Sequence, residues 1–201
     1  MAEDARDRRA ERGEATRTAL VRAARELFTE RGYAAVGTSE VVKRAGVTRG
    51  ALYHHFPDKR ELFRAAYEAT ERDLVEGLNS QLTTIDDPWE ALVTGIRSFF
   101  DIASEPKLMR MGLIDGPAVL GWEAWREIGN RYALRVTAAG IQRAMDAGVL
   151  RQADVNALAH MLLAAVGEAG LMLANSPDPA AERERVEATL MTMLEGLRAT
   201  P

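Results

Sequence analysis

A short cluster of side chains near position 50 has the residue types and spacing needed to bind nucleic acid. With Leu52 and Phe56 turned inward, helical geometry places four residues on the opposite side: Arg49, Gly50, Tyr53 and His54. Arg49 can donate to a guanine edge or a phosphate, and Gly50 lets the backbone come close. Tyr53 offers a rigid hydroxyl to the phosphate backbone. The cluster therefore indicates contact with duplex DNA.

The segment around this cluster predicts two short helices joined by a tight glycine turn. Thr38 or Ser39 caps the first helix, which ends at Gly46, and Thr48 caps the second. Such a pair binds DNA when its second helix has one apolar and one polar face. Residues at helix starts, including Lys59, are suited to phosphates because free N–H groups and the dipole favour anions there. The predicted DNA-binding residues are Thr38, Ser39, Thr48, Arg49, Gly50, Tyr53, His54 and Lys59.

A structural role for the same residues is the alternative. Tyr53, His54 and His55 are also compatible with the surface or core of a small helical domain. His55 in particular could pack against the first or fourth helix instead of facing DNA.

The elements before and after the pair are also predicted to be helical. Residues 1–15 mix four arginines with five acids and lack an apolar period, which predicts a flexible arm. A first helix starts at Thr16 and stops at Gly32. Asp58, with Glu61 three residues later, predicts a cap that opens a fourth helix at Lys59.

The rest of the chain predicts further helices, because it lacks the sustained apolar and polar alternation of half-buried strands. The first predicted rear helix begins at Pro88, a shorter one follows Pro106, and a long one runs from about Leu120 to Ala147. Asp154 is predicted to cap the next helix and Asp178 the last, which begins at Pro179. The fold class is all-α: a three-helix DNA-binding domain joined through helix 4 to a second helical domain, whose role follows from the resemblance given below. Without a Gly/Ser/Pro-rich linker, we place the boundary inside helix 4. The predicted segments are 1–15, 16–62 and 63–201.

Composition and charge narrow the function classes. The net charge of −4 is uneven: residues 1–60 hold 13 Lys and Arg against 9 Asp and Glu, and the remainder holds 13 against 21. A basic front favours an anionic partner. The absence of cysteine excludes thiolate metal sites, and three scattered histidines cannot form a metal cluster. We therefore expect no cofactor or metal.

Targeting signals and catalytic motifs are also missing from the sequence. The charged N-terminus is unlike a secretory signal, and no apolar run reaches the roughly 18 residues of a membrane span. No phosphate-binding loop or metal-ligand spacing indicates an enzyme. We expect a cytoplasmic protein with no membrane partner and no enzymatic activity.

The segment TSEVVKRAGVTRGALYHHFPDKRELF, preceded by LFTERGYAAV, resembles the DNA-binding domain of TetR/AcrR-type transcriptional repressors. The resemblance covers roughly residues 16–66. Gly37, just before Thr38, departs mildly from the family pattern. By this resemblance the chain forms homodimers through its last two helices, and each rear domain encloses a pocket whose ligand weakens DNA binding.

The rear half offers candidates for both roles, with intrachain packing as the alternative for each. Aromatic and thioether side chains suit irregular ligands. The predicted ligand residues are Trp89, Phe99, Phe100, Met109, Met111, Trp122, Trp125, Tyr132, His160 and Met161. Small residues and an apolar stripe near the C-terminus suit a four-helix dimer contact. The predicted dimer residues are Gly167, Gly170, Ala174, Val186, Leu190, Met193 and Leu197.

These patterns lead to one functional hypothesis and two alternatives. The hypothesis is a dimeric repressor that binds operator DNA and is released by a small apolar or aromatic effector. The first alternative is an activator or a regulator without a ligand. The second is a small-molecule-binding helical protein or enzyme with a DNA-binding-like front.

Overall fold

The computed structural model describes the backbone of residues 2–199 and the side chains of residues 10–199. This part of the chain is helical apart from its turns and a single antiparallel bridge between Leu150 and Arg198. Its α-helices are α1 (Ala2–Arg31), α2 (Thr38–Ala45), α3 (Arg49–His55), α4 (Lys59–Leu82), α5 (Pro88–Ala103), α6 (Pro106–Met109), α7 (Gly116–Leu120), α8 (Trp122–Gly129), α9 (Arg135–Asp146), α10 (Val155–Asn175) and α11 (Pro179–Glu195). Two π-helical segments are π1 (Arg110–Asp115) and π2 (Asn130–Leu134).

The chain divides into two compact units. The N-terminal unit comprises residues 1–70 together with 110–121, and the C-terminal unit comprises 71–109 together with 122–201. This division differs from the predicted boundary at residue 62. The first three turns of α4 belong to the N-terminal unit. This unit also contains π1 and α7, which the sequence pattern assigned to the rear domain.

The core of the N-terminal unit is built around aromatic side chains from α1 and α4. Phe28 and Phe63 are fully buried and meet edge to face, with ring centroids 5.4 Å apart. Tyr33 packs on Phe63 at 5.2 Å, and Tyr67 lies parallel to Phe63 at 6.3 Å. Offset and edge-on ring pairs add about 0.5–1.5 kcal/mol each beyond their area burial. The cluster thus binds α4 to α1.

Two N-terminal features differ from the sequence-based expectation. Helix α1 begins at Ala2 and so includes the segment predicted as a flexible arm. Alanine, glutamate and arginine are strong helix formers, which favours continuation of a helix without an apolar face. Helix α2 is capped by Gly37, not by Thr38 or Ser39, and the Glu40 carboxylate accepts the Gly37 N–H at 3.0 Å. Thr38 is therefore the first helical residue.

The other predicted caps of this unit are confirmed. The Thr48 hydroxyl accepts the Ala51 N–H at 3.2 Å, and the Asp58 carboxylate accepts the Glu61 N–H at 2.8 Å. Gly46 ends α2 in the left-handed conformation, with φ of 67°. These contacts fix where α3 and α4 begin.

The C-terminal unit packs α5, α9, α10 and α11 around an apolar core. Asp154 and Asp178 cap α10 and α11 as predicted, through the N–H groups of Ala157 and Ala181. The predicted single helix from Leu120 to Ala147 is wrong in detail. Gly121, with φ of 81°, separates α7 from α8, and π2 interrupts the helix again.

Helix α10 is more apolar than its burial explains. By length and composition it could cross a membrane, with a mean hydropathy of 1.7, yet only 28% of its most apolar window is buried. A core helix or an interface helix passes the same test.

Gly46 provides a test of the turn between α2 and α3. A Cβ here would meet no atom within 4 Å, so the Gly46→Ala variant introduces backbone strain without a steric clash. We expect the free energy of unfolding to fall by about 1 kcal/mol, measured by urea denaturation. In the control Gly77→Ala, on α4 and also free of neighbours, it should rise by up to about 1 kcal/mol. Equal changes would contradict this account of the turn.

Candidate DNA interface

Helix α3 presents the predicted polar side to solvent. Leu52 is fully buried and Phe56 is 4% exposed, whereas Tyr53 is 44% exposed. Arg49, Gly50 and His54 are also exposed. The apolar side of α3 is thus used for packing, and the side that carries the cluster is free.

Tyr53 connects α3 to the start of α2. A hydrogen bond with the Thr38 side chain, followed by one with Arg49, lowers the pKa of the Tyr53 hydroxyl. The Arg49 guanidinium lies 5.6 Å from the Tyr53 ring centroid, within the range of a cation–π contact. Because Gly37 takes the capping position, the Thr38 hydroxyl is free to make this bond. The structure therefore brings three predicted residues together, with Arg49 and Tyr53 exposed and Thr38 half-buried.

The remaining predicted contacts occupy different environments. Thr48 and Ser39 are exposed, the former with its hydroxyl used in the α3 cap. His54 is exposed, whereas His55 is half-buried, its Cε1 3.9 Å from a Cβ built on Gly13 of α1. His55 thus lies against α1, as the packing alternative predicted.

Lys59 is held inside the N-terminal unit. Its Nζ donates to the Tyr33 carbonyl at 2.5 Å and lies 4.0 Å from the Tyr33 ring centroid. Burial lowers the pKa of this ammonium. The sequence pattern placed Lys59 at a helix start, ready for a phosphate, but the structure engages it in fixing the turn between α1 and α2.

Two cations that the sequence analysis did not select lie on the same unit. Lys43 follows Ser39 by one turn of α2 and is exposed, and no carboxylate pairs with it among the described side chains. Arg17 on α1 is exposed with its guanidinium 5.6 Å from the Phe56 ring centroid, beside the end of α3. The four-residue spacing from Ser39 could have identified Lys43. The contact of Arg17 with α3 depends on tertiary packing.

Residues 110–121 support the N-terminal unit from outside the helix-turn-helix. Asp115 accepts the Tyr33 N–H at 2.9 Å, and the Arg110 Nη2 donates to the Thr29 carbonyl at 3.1 Å. Arg60 of α4 donates to the carbonyls of Val119 and Leu120 at 3.1 and 2.8 Å. The end of α1 and the start of α4 are therefore both attached to this segment.

A cavity of about 320 Å³ lies within the C-terminal unit, between α4, α5, α9 and α10. This volume is at the lower end of the range for ligand pockets. Its lining is largely aliphatic, with Leu74, Leu78, Leu92, Ile96, Val136 and Leu162 among its residues.

Of the ten predicted ligand residues, Phe99 alone lines this cavity, and the structure corrects the proposed aromatic cluster. Phe100 and Met109 are buried in the core. Met111 belongs to the N-terminal unit, where its sulfur accepts the Thr29 hydroxyl at 3.2 Å. Aromatic and aliphatic residues are equally suited to a core, so residue type alone could not separate packing from lining.

The other predicted ligand residues lie nearer the surface. Trp122 and Met161 are 61% and 69% exposed. Trp89 is half-buried beneath the Arg198 guanidinium, which lies 4.3 Å from its ring centroid. The remaining three, Trp125, Tyr132 and His160, are half-buried outside the cavity lining.

The predicted dimer residues also separate into two groups. Val186 and Leu190 are 5% and 4% exposed and face the core of their own chain. Gly170 is buried, and a Cβ on it would lie 3.0 Å from Met109 Cε and 3.3 Å from the Phe99 ring. Ala174 and Met193 are exposed, while Gly167 and Leu197 are half-buried. The inward group is set by packing on α5 and α10, which a single apolar stripe does not reveal.

No group of three or more His, Asp or Glu side chains that could hold a metal ion occurs within residues 10–199.

Comparison with known protein families gives two matches that together cover most of the chain. Residues 20–66 match the model for bacterial regulatory proteins of the tetR family. Residues 89–197 match the tetracyclin repressor-like C-terminal domain. The first match contains the whole of α2 and α3, with the exposed cluster.

Individual relatives extend over nearly the whole chain. A TetR-family transcriptional regulator from Pectobacterium atrosepticum is 33% identical, with a TM-score of 0.84 over 95% of this chain and 98% of that one. The Transposon Tn10 TetC protein of Escherichia coli is 27% identical over 73% of this chain and 74% of its own length. RolR in complex with its ligand resorcinol shares the fold, with 24% identity and a TM-score of 0.68 over 92% and 89% of the two chains. The chain therefore belongs to the tetR family of bacterial regulatory proteins, which are DNA-binding regulators of transcription and not enzymes.

Proposed function

We propose that this regulator is a cytoplasmic, dimeric repressor that binds operator DNA through α3 and is released by a small, largely apolar effector. The observation that carries the DNA-binding assignment is the exposed pair of Arg49 and Tyr53 on the helix-turn-helix, with the half-buried Thr38 bonded to Tyr53. Arg49 supplies a base or phosphate contact and Tyr53 a backbone contact. Ser39, Thr48, Gly50 and His54 complete the proposed surface.

Effector release is supported by the cavity. It is enclosed by four helices of the C-terminal unit and lined mainly by aliphatic side chains. RolR, crystallised with resorcinol, shows that a protein of this fold holds a small molecule. A ligand that binds better to the form with misaligned recognition helices shifts the population toward that form and lowers operator affinity.

Helix α4 is the proposed carrier of this effect. Its first residue, Lys59, bonds the Tyr33 carbonyl in the N-terminal unit, while Leu74, Leu78 and Leu82 line the cavity in the C-terminal unit. Helix α4 therefore contributes both to the packing of the DNA-binding unit and to the lining of the cavity. A ligand that displaces its second half acts on the residues that fix α1 and α2.

Dimerisation is supported by an exposed apolar stripe on the last two helices. Ala157, Met161, Ala164 and Met172 recur on the exposed side of α10 at spacings of three, four and eight residues. Met193 is 58% exposed on α11. Contiguous exposed apolar surface marks interaction sites, and a second copy with the same stripe covers it symmetrically. A dimer also presents two copies of α3 to half-sites about 34–36 Å apart.

Substitution of Tyr53 tests the DNA surface. The Tyr53→Ala variant removes the backbone contact and the partner of Thr38, so we expect operator affinity to fall roughly tenfold for specific and random DNA alike. Arg49→Ala should also alter the sequence preference, because arginine can bond a guanine edge. Both effects are measurable by bandshift with DNA from the protein's own promoter region, at several salt concentrations.

A matched control is available on the same unit. The half-buried His55, which lies against α1, should tolerate His55→Gln with little change in DNA affinity. Undiminished DNA binding by both Tyr53→Ala and Arg49→Ala would refute the proposed DNA-binding surface on α3. If the parent chain showed no preference for promoter DNA over random DNA, the proposal of a sequence-specific regulator would fail.

The dimer surface is tested by introducing charge. We expect Met161→Lys combined with Met193→Lys to yield monomers at concentrations where the parent chain is dimeric, because a buried unpaired lysine opposes association. Sedimentation velocity reports the change. Ile114→Lys, at a site 51% exposed in the N-terminal unit, is the control and should leave the dimer intact. A dimeric double variant would place the interface elsewhere.

A further inference from the structure

The cavity in the C-terminal unit is long and narrow. Its lining follows α4 and the residue after it from Glu71 to Thr83, and follows α5 from Pro88 to Ile102. At a rise of about 1.5 Å per residue, these stretches span roughly 18 and 21 Å. The lining positions recur every three or four residues, which is a single stripe along each helix. A volume of about 320 Å³ distributed over this length suits an extended chain better than a broad ring system.

The chemistry of the wall agrees with this shape. Among the described lining residues Phe99 is the one aromatic, and most others are Leu, Ile, Val, Ala or Gly. Flat ligands are usually held between aromatic rings, whereas a flexible alkyl chain needs only close apolar contact. Gly95 and Gly140 lie where a Cβ would already be 3.4 and 3.5 Å from Leu82 and Leu92. These glycines let α5 and α9 pack closely on Leu82 and Leu92, and the cavity wall beside them is aliphatic.

Part of the cavity lining is exposed to solvent. The exposed members of its lining are Asn79, Thr83, Ala139 and Arg143, while Glu71, Ile102 and Val166 are half-buried or buried. Arg143 lies at the turn after α4, because its Nη2 donates to the carbonyls of Ile85 and Asp86 at 2.7 Å each. The exposed part of the lining is thus largely polar.

One basic side chain in the cavity lining is placed to bind a charged group of the ligand. Arg143 makes no ion pair with any carboxylate of the described residues. The nearby Asp87 carboxylate is used to cap α5, where it accepts the N–H groups of Trp89 and Glu90 at 2.8 and 3.4 Å. Arg143 is the one basic side chain among the described lining residues. An anionic head group is therefore favoured at Arg143.

We infer that the effector is a medium-chain aliphatic carboxylate, its chain lying between α4 and α5 and its carboxylate at the guanidinium of Arg143. At roughly 30 Å³ per water-sized group, the cavity accommodates on the order of ten such groups. This inference rests on the proposed function in one respect, that the cavity is the effector site. It narrows the effector from any apolar molecule to one chain with one acidic end.

Calorimetric titration of the full chain with decanoate, decanol and resorcinol tests the inference. We expect both ten-carbon compounds to bind and resorcinol to bind at least tenfold more weakly than decanoate. Arg143→Gln should weaken decanoate roughly tenfold or more and change decanol by less than about twofold, because a hydrogen-bonded charge is lost for the acid only. Arg143→Lys retains the charge and should restore part of the affinity. Melting temperatures verify that each variant is folded.

A second variant separates the cavity from the protein surface. Val136→Phe fills the lining of α9 and should weaken decanoate and decanol together. Unchanged decanoate binding by Val136→Phe, or equal loss of acid and alcohol in folded Arg143→Gln, would overturn the inference. Preferred binding of resorcinol would do the same.

Operator release distinguishes this inference from the proposed function. In a bandshift with promoter DNA, decanoate should release the parent chain at concentrations that leave Arg143→Gln bound. Release by resorcinol but not by decanoate would overturn the chain-shaped effector and leave the ligand-responsive repressor standing. Specific binding of decanoate in the cavity without release would support the ligand class and overturn the repressor's ligand response.

Discussion

The turn at Tyr33 is the constraint on which the N-terminal unit depends. Its N–H donates to Asp115, its carbonyl accepts from Lys59, and its ring packs on Phe63 and beneath the Lys59 ammonium. This one residue lies between α1 and α2, and its partners come from π1 and α4. The direction of α2 is therefore set by contacts with two other elements. Since Thr38 at the start of α2 bonds Tyr53, the exposed side of α3 is oriented by the same turn.

Gly37 shows how a small residue organises the DNA-binding surface. A serine or threonine at this position caps a helix with its side chain, but here the Glu40 carboxylate satisfies the Gly37 N–H from within α2. Arg31 donates to the same carboxylate, and this contact links α1 to the cap. The hydrogen bond from Gly37, and then that from Arg31, lowers the pKa of the Glu40 carboxyl. The Glu40 carboxylate that caps α2 thus remains charged. Because this cap does not use the Thr38 hydroxyl, that hydroxyl can bond Tyr53 of α3.

The sequence was most informative where a local interaction decides the structure. The caps at Thr48, Asp58 and Asp154 need only residues within one turn, and the inward positions of Leu52 and Phe56 follow from helical spacing. Contacts between residues that are distant along the chain were harder to predict from the sequence. The commitment of Lys59 to Tyr33 brings together residues 26 positions apart. The apolar sides of α10 and α11 were visible, but whether Val186 faces its own chain or a second copy depends on the placement of α5. An aliphatic cavity lining uses the same residues as a core, so the cavity had no distinct signal in the sequence.

Residues 110–121 belong to the N-terminal unit although they are distant from it along the chain. This affects how fragments and chimeras of the regulator can be designed. A fragment that ends at residue 70 contains the whole helix-turn-helix but lacks the acceptor for the Tyr33 N–H, the sulfur between Thr29 and Thr70, and the carbonyls bound by Arg60. The DNA-reading part is thus continuous in space but not along the chain. A chimera that joins this DNA-binding unit to another effector domain needs both residues 1–70 and residues 110–121. Otherwise the corresponding loop of the other protein must supply the same three contacts.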